Sequence, residues 1–306
     1  MLIGLTGASG FLGRYIANRL LRAGHRLRCW KRPQSDLGGF EPGELEWFDG
    51  QLGQPDASAR LVSGADAVVH AALHWTGASR RQSAADLLGF LQTNLMGTLA
   101  LMAAARDAGV GRFIFISTCA VHELILDDRP LDEAHPLWPT SHYGAHKAAI
   151  EAFVHSMGLG DGWTVCSLRP TGIYGAARPL SRSKWFDLVQ RVARGEAVDS
   201  ARGGKEVHAA DVARAVELLL HAPEAAVRGK AFNCCDSYIS EEHVARIAAE
   251  LCASGSPISD RNRGPKHQIE TGRLAELGMS FGGDRLLRAT IHQLLSPVPP
   301  ADAGDA

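Results

Sequence analysis

The sequence predicts an α/β protein built on a doubly wound parallel sheet. Short apolar runs alternate with amphipathic stretches through the first half of the chain, the pattern of a parallel sheet covered on both faces. Three glycines, Gly7, Gly10 and Gly13, follow the first apolar run directly, at the carboxyl end of a strand where such a sheet opens its ligand crevice. The 306 residues, 45% of them apolar, suffice for one large domain or two interlocked ones.

The first strand is read at Leu2–Leu5 and the first helix at Phe11–Ala23, closed by the stop "AGH". Strands follow at Arg26–Trp30, Leu45–Phe48, Ala67–His70, Arg112–Ile116 and Thr164–Leu168. The intervening helices are Pro55–Ser63, Ala84–Ala108, stopped by "AGVG", and Tyr143–Met157. Six or seven strands result. After Pro170 the texture becomes helical, with Lys184–Arg194, Ala210–His221, Glu241–Ala253 and Asp284–Leu295 joined by Gly- and Pro-rich connections. Ser240 suits the N-cap of the third of these, although His243 leaves a capping box incomplete. A smaller, mainly helical lobe beside the sheet is therefore expected, ending in a frayed "SPVPPADAGDA" tail. The domains expected are 1–170, also receiving segments near 205–236, and 171–306.

Composition narrows the function. Lys plus Arg is 32 and Asp plus Glu is 33, which gives no electrostatic footprint for nucleic acid or an anionic membrane. Apolar stretches fall well short of about 18 residues, so no membrane span is expected. Met1 leads straight into the first strand without a basic leader. The six cysteines lack metal or redox spacing, and a reduced, cytoplasmic protein is expected.

The glycines have a specific use. Gly7 permits a tight turn, Gly10 lets a pyrophosphate approach the backbone, and Gly13 lets helix and strand pack closely; the helix start then offers its unpaired N–H groups to phosphate. Tyr143 and Lys147 stand four residues apart, on one helix face. A neighbouring cation stabilises a phenolate and brings the phenol, ordinarily near about 10, toward useful proton transfer. The strand "RFIFIST" ends in Ser117 and Thr118, whose hydroxyls can project into the crevice or serve as caps. His142 and His146 are also four apart, but no acid is placed to complete a site; surface imidazoles and no metal are expected.

These segments, with "ADAVVHAA", "TNLMGTLALMAAA", "YGAHKAAIE", "LRPTGIYG", "VHAADVARAVELLL" and "GKAFNCCD" in order along the chain, give a clear resemblance. The chain resembles the extended short-chain dehydrogenase/reductases, the NAD(P)-dependent sugar epimerase/dehydratase family, strongly to about residue 236 and weakly beyond. The resemblance implies a Rossmann fold and a helical substrate lobe. It makes Tyr143 the general acid/base and Lys147 the residue that holds the nicotinamide ribose and lowers the tyrosine pKa. It matches Thr118, ahead of Ser117, to the hydroxyl that bonds the reacting oxygen, and Asn94 to an asparagine that organises the site. Cofactor contacts are implied for Gly7, Ser9, Gly10, Phe11, Leu12 and Gly13, for Asp49 and Gly50 near adenine, for Ala71 and Ala72, and for Arg169, Pro170 and Thr171 beside the nicotinamide.

Cofactor choice is argued from charge. The second strand runs into Lys31 and Arg32 with no acid to accept from a ribose 2′-OH. Two cations suit a 2′-phosphate, so NADP is favoured over NAD. Trp75 lines the substrate cleft or belongs to the core. His122 and Glu123 replace the family's usual Tyr-Gly at the edge of the substrate pocket. The arginine that often meets a nucleotide diphosphate is missing, with Lys205 or Arg202 as substitutes, and Cys119 and Ala120 supply no dehydratase acid-base pair. The expectation is an oxidoreductase or epimerase acting on a secondary alcohol or ketone of a sugar, sugar nucleotide or similar small molecule. A non-catalytic NADP-binding sensor or scaffold is the competing class. A homodimer through helices Ala84–Ala108 and Tyr143–Met157 is a family-level expectation.

Overall fold

Each short apolar run of the first half becomes a strand of one parallel sheet. The computed structural model describes residues 1–75, 86–261 and 264–296. In chain order its elements are β1 (Leu2–Thr6), α1 (Phe11–Arg22), β2 (Arg26–Lys31), β3 (Leu45–Asp49), α2 (Pro55–Val62), β4 (Ala67–His70), α3 (Leu87–Leu91), α4 (Gly97–Asp107), β5 (Arg112–Ile116), α5 (His142–His155), β6 (Val165–Pro170), β7 (Gly172–Tyr174), α6 (Phe186–Ala193), β8 (Gly203–His208), α7 (Ala209–His221), α8 (Glu224–Val227), β9 (Lys230–Cys234), β10 (Ser237–Ser240), α9 (Glu241–Cys252), α10 (Gly272–Glu276) and α11 (Gly283–Leu295).

The chain divides into two compact units. The first comprises Met1–Thr171, Ala209–Cys235 and His267–Ser280. Its sheet has the order β3-β2-β1-β4-β5-β6-β9, every pairing parallel. Chain order reverses between β1 and β4, which is where ligands bind in open α/β sheets. Buried apolar residues pass through the sheet in register, with Leu5 beside Cys29 and Val69, and Ile114 beside Cys166. On one face α1 packs against α7. On the other, Leu61 of α2, Leu101 and Met102 of α4, and Ile150 and Val154 of α5 close a core with Trp30 and Phe113, all but Trp30 at 2% exposure or less. Burial of such side chains contributes about 1.5–3 kcal/mol each.

The helix expected over Ala84–Ala108 is composite: α3, a π-helical turn over Gln92–Met96, and α4. Ala84 and Ala85 lie outside the described residues. Leu87–Asp107 is 21 residues long and apolar enough, by length and composition, to cross a membrane, which corrects the expectation that no stretch would be. Leu101, Met102 and Ala105 are at 0% exposure in the core of the first unit, as befits a helix laid on a sheet.

The second unit comprises Gly172–His208, Asp236–Lys266 and Phe281–Ala306. It was expected to be mainly helical, yet it also holds a three-stranded sheet, β10-β8-β7. Its strands are three to six residues long, and β8 reads Gly-Gly-Lys-Glu-Val-His, without the alternation that marks a half-buried strand. The helices α6, α9 and α11 bury Val189, Val244, Ile247, Ile291 and Leu294 together. Ser240 caps α9 as anticipated, its side chain accepting from the His243 amide at 3.0 Å. The helix expected at Ala210–His221 is α7 and belongs to the first unit. The tail from residue 297 lies outside the described residues.

Candidate active site

The turn after β1 has the shape its glycines allow. Gly7 lies at φ +74° with Ala71 and Ala72 backbone atoms 2.8 Å from where a Cβ would stand. A Cβ on Gly13 would lie 2.0 Å from the Gly7 carbonyl oxygen, so only glycine lets α1 sit this close to the turn. The amide of Gly10 donates to the Gly7 carbonyl at 3.0 Å. The N-terminus of α1 has no side-chain cap and no acid in its first turn. It therefore presents bare N–H groups and the positive end of a helix dipole beside a backbone cradle that a side chain would fill. These residues fit the pyrophosphate of a dinucleotide. Ser9 bonds Ser35 at 3.3 Å, Phe11 packs edge-on against Tyr15, and Leu12 is half-buried.

At the far end of β2 and β3 a cleft of ≈ 410 Å³ is lined by Lys31, Arg32, Pro33, Asp49, Gly50, Gln51 and Gln54. Arg32 is exposed. Lys31 departs from expectation: its ammonium is paired with Asp49 at 2.8 Å across the strand pair, so its charge is partly neutralised.

A buried polar chain runs under this turn. Thr6 Oγ1 accepts from the Ala71 and Ala72 amides at 3.2 and 3.1 Å. With both lone pairs used, its O–H donates to His70 Nδ1 at 2.7 Å, so the proton of His70 is on Nε2 and goes to Thr98 Oγ1 at 2.9 Å. Thr98 in turn donates to the Asn94 carbonyl at 2.6 Å. Burial, then the charge of Lys147, lowers the His70 pKa to about 3. Asn94 sits in the π-helical turn, a distortion frequent at functional sites. Its side chain clips the segment after β4 through both His74 backbone groups, at 2.8 and 2.9 Å.

The sequence motif at α5 comes together at the end of β5. Ser141 caps the helix by accepting from the Gly144 amide. A Cβ on Gly144 would lie 2.6 Å from the Ala120 carbonyl oxygen; glycine there lets the first turn of α5, with Tyr143, lie against the turn that follows Thr118. Tyr143 is half-buried, its ring perpendicular to that of Trp75 with centroids 6.5 Å apart, and Trp75 is also perpendicular to Phe90 at 5.5 Å. Lys147 is 5% exposed and donates to the Ile116 carbonyl at 2.8 Å, its ammonium 4.4 Å from the Phe115 ring centroid. Thr118 caps the 3₁₀ turn Cys119–His122 by accepting from the Ala120 amide at 3.1 Å, which leaves its O–H as a donor. Ser117 is excluded from that role, because its hydroxyl is buried and donates to Glu151.

Three expectations are corrected here. Arg169 does not face a cofactor: it is 1% exposed and grips Glu151 through Nε and Nη2 at 2.9 and 2.5 Å. His122 is 4% exposed and accepts from Arg169 at 3.1 Å, so it lines no open pocket; burial and the arginine's charge lower its pKa to about 4. His146 is no surface imidazole but is 2% exposed, packed against Phe90 at 4.9 Å. Pro170 is buried and Thr171 half-buried beside Cys234. Lys205 lies on β8 of the second unit, opposite Tyr238. Sequence reasoning missed Glu151 and set Glu123 only at the edge of the substrate pocket. The signal for Glu151 was present: it follows Tyr143 and Lys147 at the same four-residue interval, a carboxylate on a face that is otherwise buried. Glu123 accepts from the amides and hydroxyls of Thr140 and Ser141, bracing the approach to α5. Burial pushes its carboxyl up, and these hydrogen bonds outweigh it and hold it below its usual range.

Comparison with known proteins bears on the family and the fold. The model of the NAD dependent epimerase/dehydratase family matches residues 3–235. A 4-hydroxy-2-methyl-3-oxo-4-farnesyl-3,4-dihydroquinoline-1-oxide ketoreductase from Stigmatella aurantiaca is 32% identical over 65% of this chain and 58% of its own. A UDP-glucose 4-epimerase from Streptomyces lividans is 28% identical over 62% of this chain and 59% of its own. The chain thus matches less than two thirds of the length of these relatives. Among solved structures, a UDP-glucose 4-epimerase from Thermotoga maritima, determined with UDP-glucose, superposes with a TM-score of 0.78 at 21% identity, covering 95% of this chain and 97% of that one. At that identity the likeness speaks for the fold, a parallel Rossmann sheet. With the family model spanning most of the chain, from β1 through β9, the protein belongs to the NAD dependent epimerase/dehydratase family.

Proposed function

We propose that this protein is an NAD(P)-dependent oxidoreductase or epimerase acting on a secondary alcohol or ketone of a sugar, sugar nucleotide or similar small molecule. One observation carries the reading: a tyrosine and a buried lysine one turn apart on α5 lie against the end of β5 beside a donor-ready Thr118. The pyrophosphate would be held by the turn Gly7–Gly13 with Ala71 and Ala72 alongside. Lys31, Arg32, Asp49 and Gly50 would hold the adenosine end, and Lys147, Pro170 and Thr171 the nicotinamide end. When bound, the nicotinamide supplies or accepts hydride.

The chain's own residues do the rest. Tyr143 takes the proton from a substrate hydroxyl, or returns it, at its phenolic oxygen. The ammonium of Lys147 favours the phenolate. Thr118 donates to the substrate oxygen and steadies the charge that develops there. Trp75, its ring perpendicular to that of Tyr143 with centroids 6.5 Å apart, supports a role in the substrate cleft.

NADP is the cofactor favoured here. No acid ends β2, and Arg32 stands exposed at the cleft. The carboxylate of Asp49 is on the neighbouring strand and committed to Lys31. A homodimer is supported by large apolar side chains left exposed on the two long helical segments of the first unit: Leu88 at 78%, Met96 at 50%, Phe153 at 44% and Leu159 at 72%. Light scattering would give its mass.

The test is turnover. The protein is mixed with NADPH or NADH and a panel of ketones and aldehydes, and the measurement is repeated with Tyr143→Phe. Loss of about 10²–10⁴-fold is expected for removal of a general acid/base. Tight cofactor binding with no Tyr143-dependent turnover would instead mark a non-catalytic binding protein.

A further inference from the structure

We propose that the buried pair Glu151–Arg169 positions the active site: it fixes both ends of the turn that carries Thr118 and locks that turn to the helix that carries Tyr143 and Lys147. The proposal rests on the roles given above to those three residues.

The geometry is specific. Lys147 and Glu151 lie one turn apart on α5, at 5% and 0% exposure. They grip successive residues at the end of β5: Lys147 donates to the Ile116 carbonyl at 2.8 Å, and Ser117 donates to Glu151. The next residue is Thr118. Arg169, on β6, spends Nε and Nη2 on Glu151, and turns Nη1 to His122 at 3.1 Å and to the Glu133 carbonyl at 3.3 Å. His122 is the last residue of the turn that Thr118 begins. It accepts at Nε2, so Nδ1 bears the proton and meets the Pro136 carbonyl at 3.3 Å. One end of the turn is thus tied to the carboxylate and the other to the guanidinium of a single ion pair.

Stability is a weak explanation for such a pair. Two charges fully withdrawn from water are often no better than apolar side chains of the same volume, whereas a directional, bidentate pair fixes orientation. A few tenths of an ångström between Thr118 and Tyr143 matters to proton transfer far more than to folding.

The experiment removes the pair without stranding a charge. The triple variant Ser117→Ala, Glu151→Leu, Arg169→Met is compared with the parent by thermal melting, NADPH titration and steady-state turnover on the best carbonyl of the panel. Tyr143 is also titrated directly. The chain has four tyrosines, and the alkaline phenolate absorbance minus that of the Tyr143→Phe counterpart isolates this one without any substrate. Two ionisable groups coupled to Lys147, His146 on α5 and His70 from β4, are both held neutral, at about 3, by burial and by Lys147.

The folded triple variant is expected to bind NADPH within about threefold of the parent while kcat falls at least about tenfold, the mild end of what a misplaced group costs. Its Tyr143 titration should move toward the ordinary value of about 10. Parental kcat and an unmoved titration in a folded variant would overturn the proposal. Should the triple variant not fold, Arg169→Lys keeps a cation opposite Glu151 and gives up His122; unchanged kcat there overturns the proposal equally. If Tyr143→Phe itself keeps full turnover, it is the catalytic reading that fails, whatever the pair does.

Discussion

Replacing His70 by glutamine should change how stability responds to acid, and the size of the change follows from the hydrogen bonds. His70 is 1% exposed, with Nδ1 facing a Thr6 hydroxyl whose lone pairs are already occupied by two amides. A second ring proton would have no acceptor, in keeping with a pKa lowered to about 3 by burial and then by Lys147. Above pH about 6.5 the imidazole is neutral both folded and unfolded, so it adds no pH dependence. Between about 6.5 and 3 the unfolded chain binds a proton that the folded chain does not, and stability is lost as pH falls. Integrated from pH 7.5 to 5.5, one such histidine accounts for about 1.4 kcal/mol. His70→Gln should be the less stable protein at pH 7.5, by about 1–3 kcal/mol for the partners left unpaired. That gap should narrow by about 1.4 kcal/mol at pH 5.5. The measurement is urea unfolding followed by tryptophan fluorescence at the two pH values. His122 and His146 act in the same sense, and Glu133 and Glu206, whose pKa values burial raises, in the opposite one; all four are present in both proteins and cancel. A gap that stays constant across this range would refute the neutral, doubly committed imidazole.

Gly13→Ala places a methyl 2.0 Å from the Gly7 carbonyl oxygen, so the turn must deform; a cost of about 1–3 kcal/mol in the melt and loss of NADPH binding are expected. Asp49→Asn releases Lys31 from its surface pair, and the ratio of NADPH to NADH affinity should rise about two- to fivefold, the range such pairs are worth; a fall in that ratio would count against the 2′-phosphate reading. Ser240→Ala removes the N-cap of α9 and should cost about 1 kcal/mol by thermal or urea unfolding.

What the sequence conveys well is what is local. β1 and β4 are mostly apolar runs of five and four residues, β2 alternates arginine with Leu27 and Cys29, and the glycine spacing that follows β1 reports a turn confined to seven residues. Tyr143 and Lys147 are legible because a helix converts a four-residue interval into proximity. The strands of the second unit fail the same test: β7 has three residues, and β8 begins with two glycines and ends in a histidine, so their pairing depends on partners far along the chain rather than on their own pattern.

The site divides along the same line. Arg169 reads as a cofactor contact because the family resemblance places its loop beside the nicotinamide, and nothing near it in the chain says otherwise. Its partner Glu151 is 18 residues earlier, Ser117 lies 34 residues before Glu151, and His122 is 47 residues before Arg169. Only the parallel packing of β5 beside β6, with α5 laid across them, brings these four together. Once they meet, burial decides their chemistry. A guanidinium at 1% exposure needs a carboxylate, the carboxylate takes the nearest hydroxyl, and the remaining arginine nitrogen turns to a histidine. An arginine that a linear reading sends to the cofactor is thereby committed to the frame behind it. Thr118, whose hydroxyl accepts from the Ala120 amide and keeps its O–H to donate, stays outside this frame, on the turn that the frame holds at both ends.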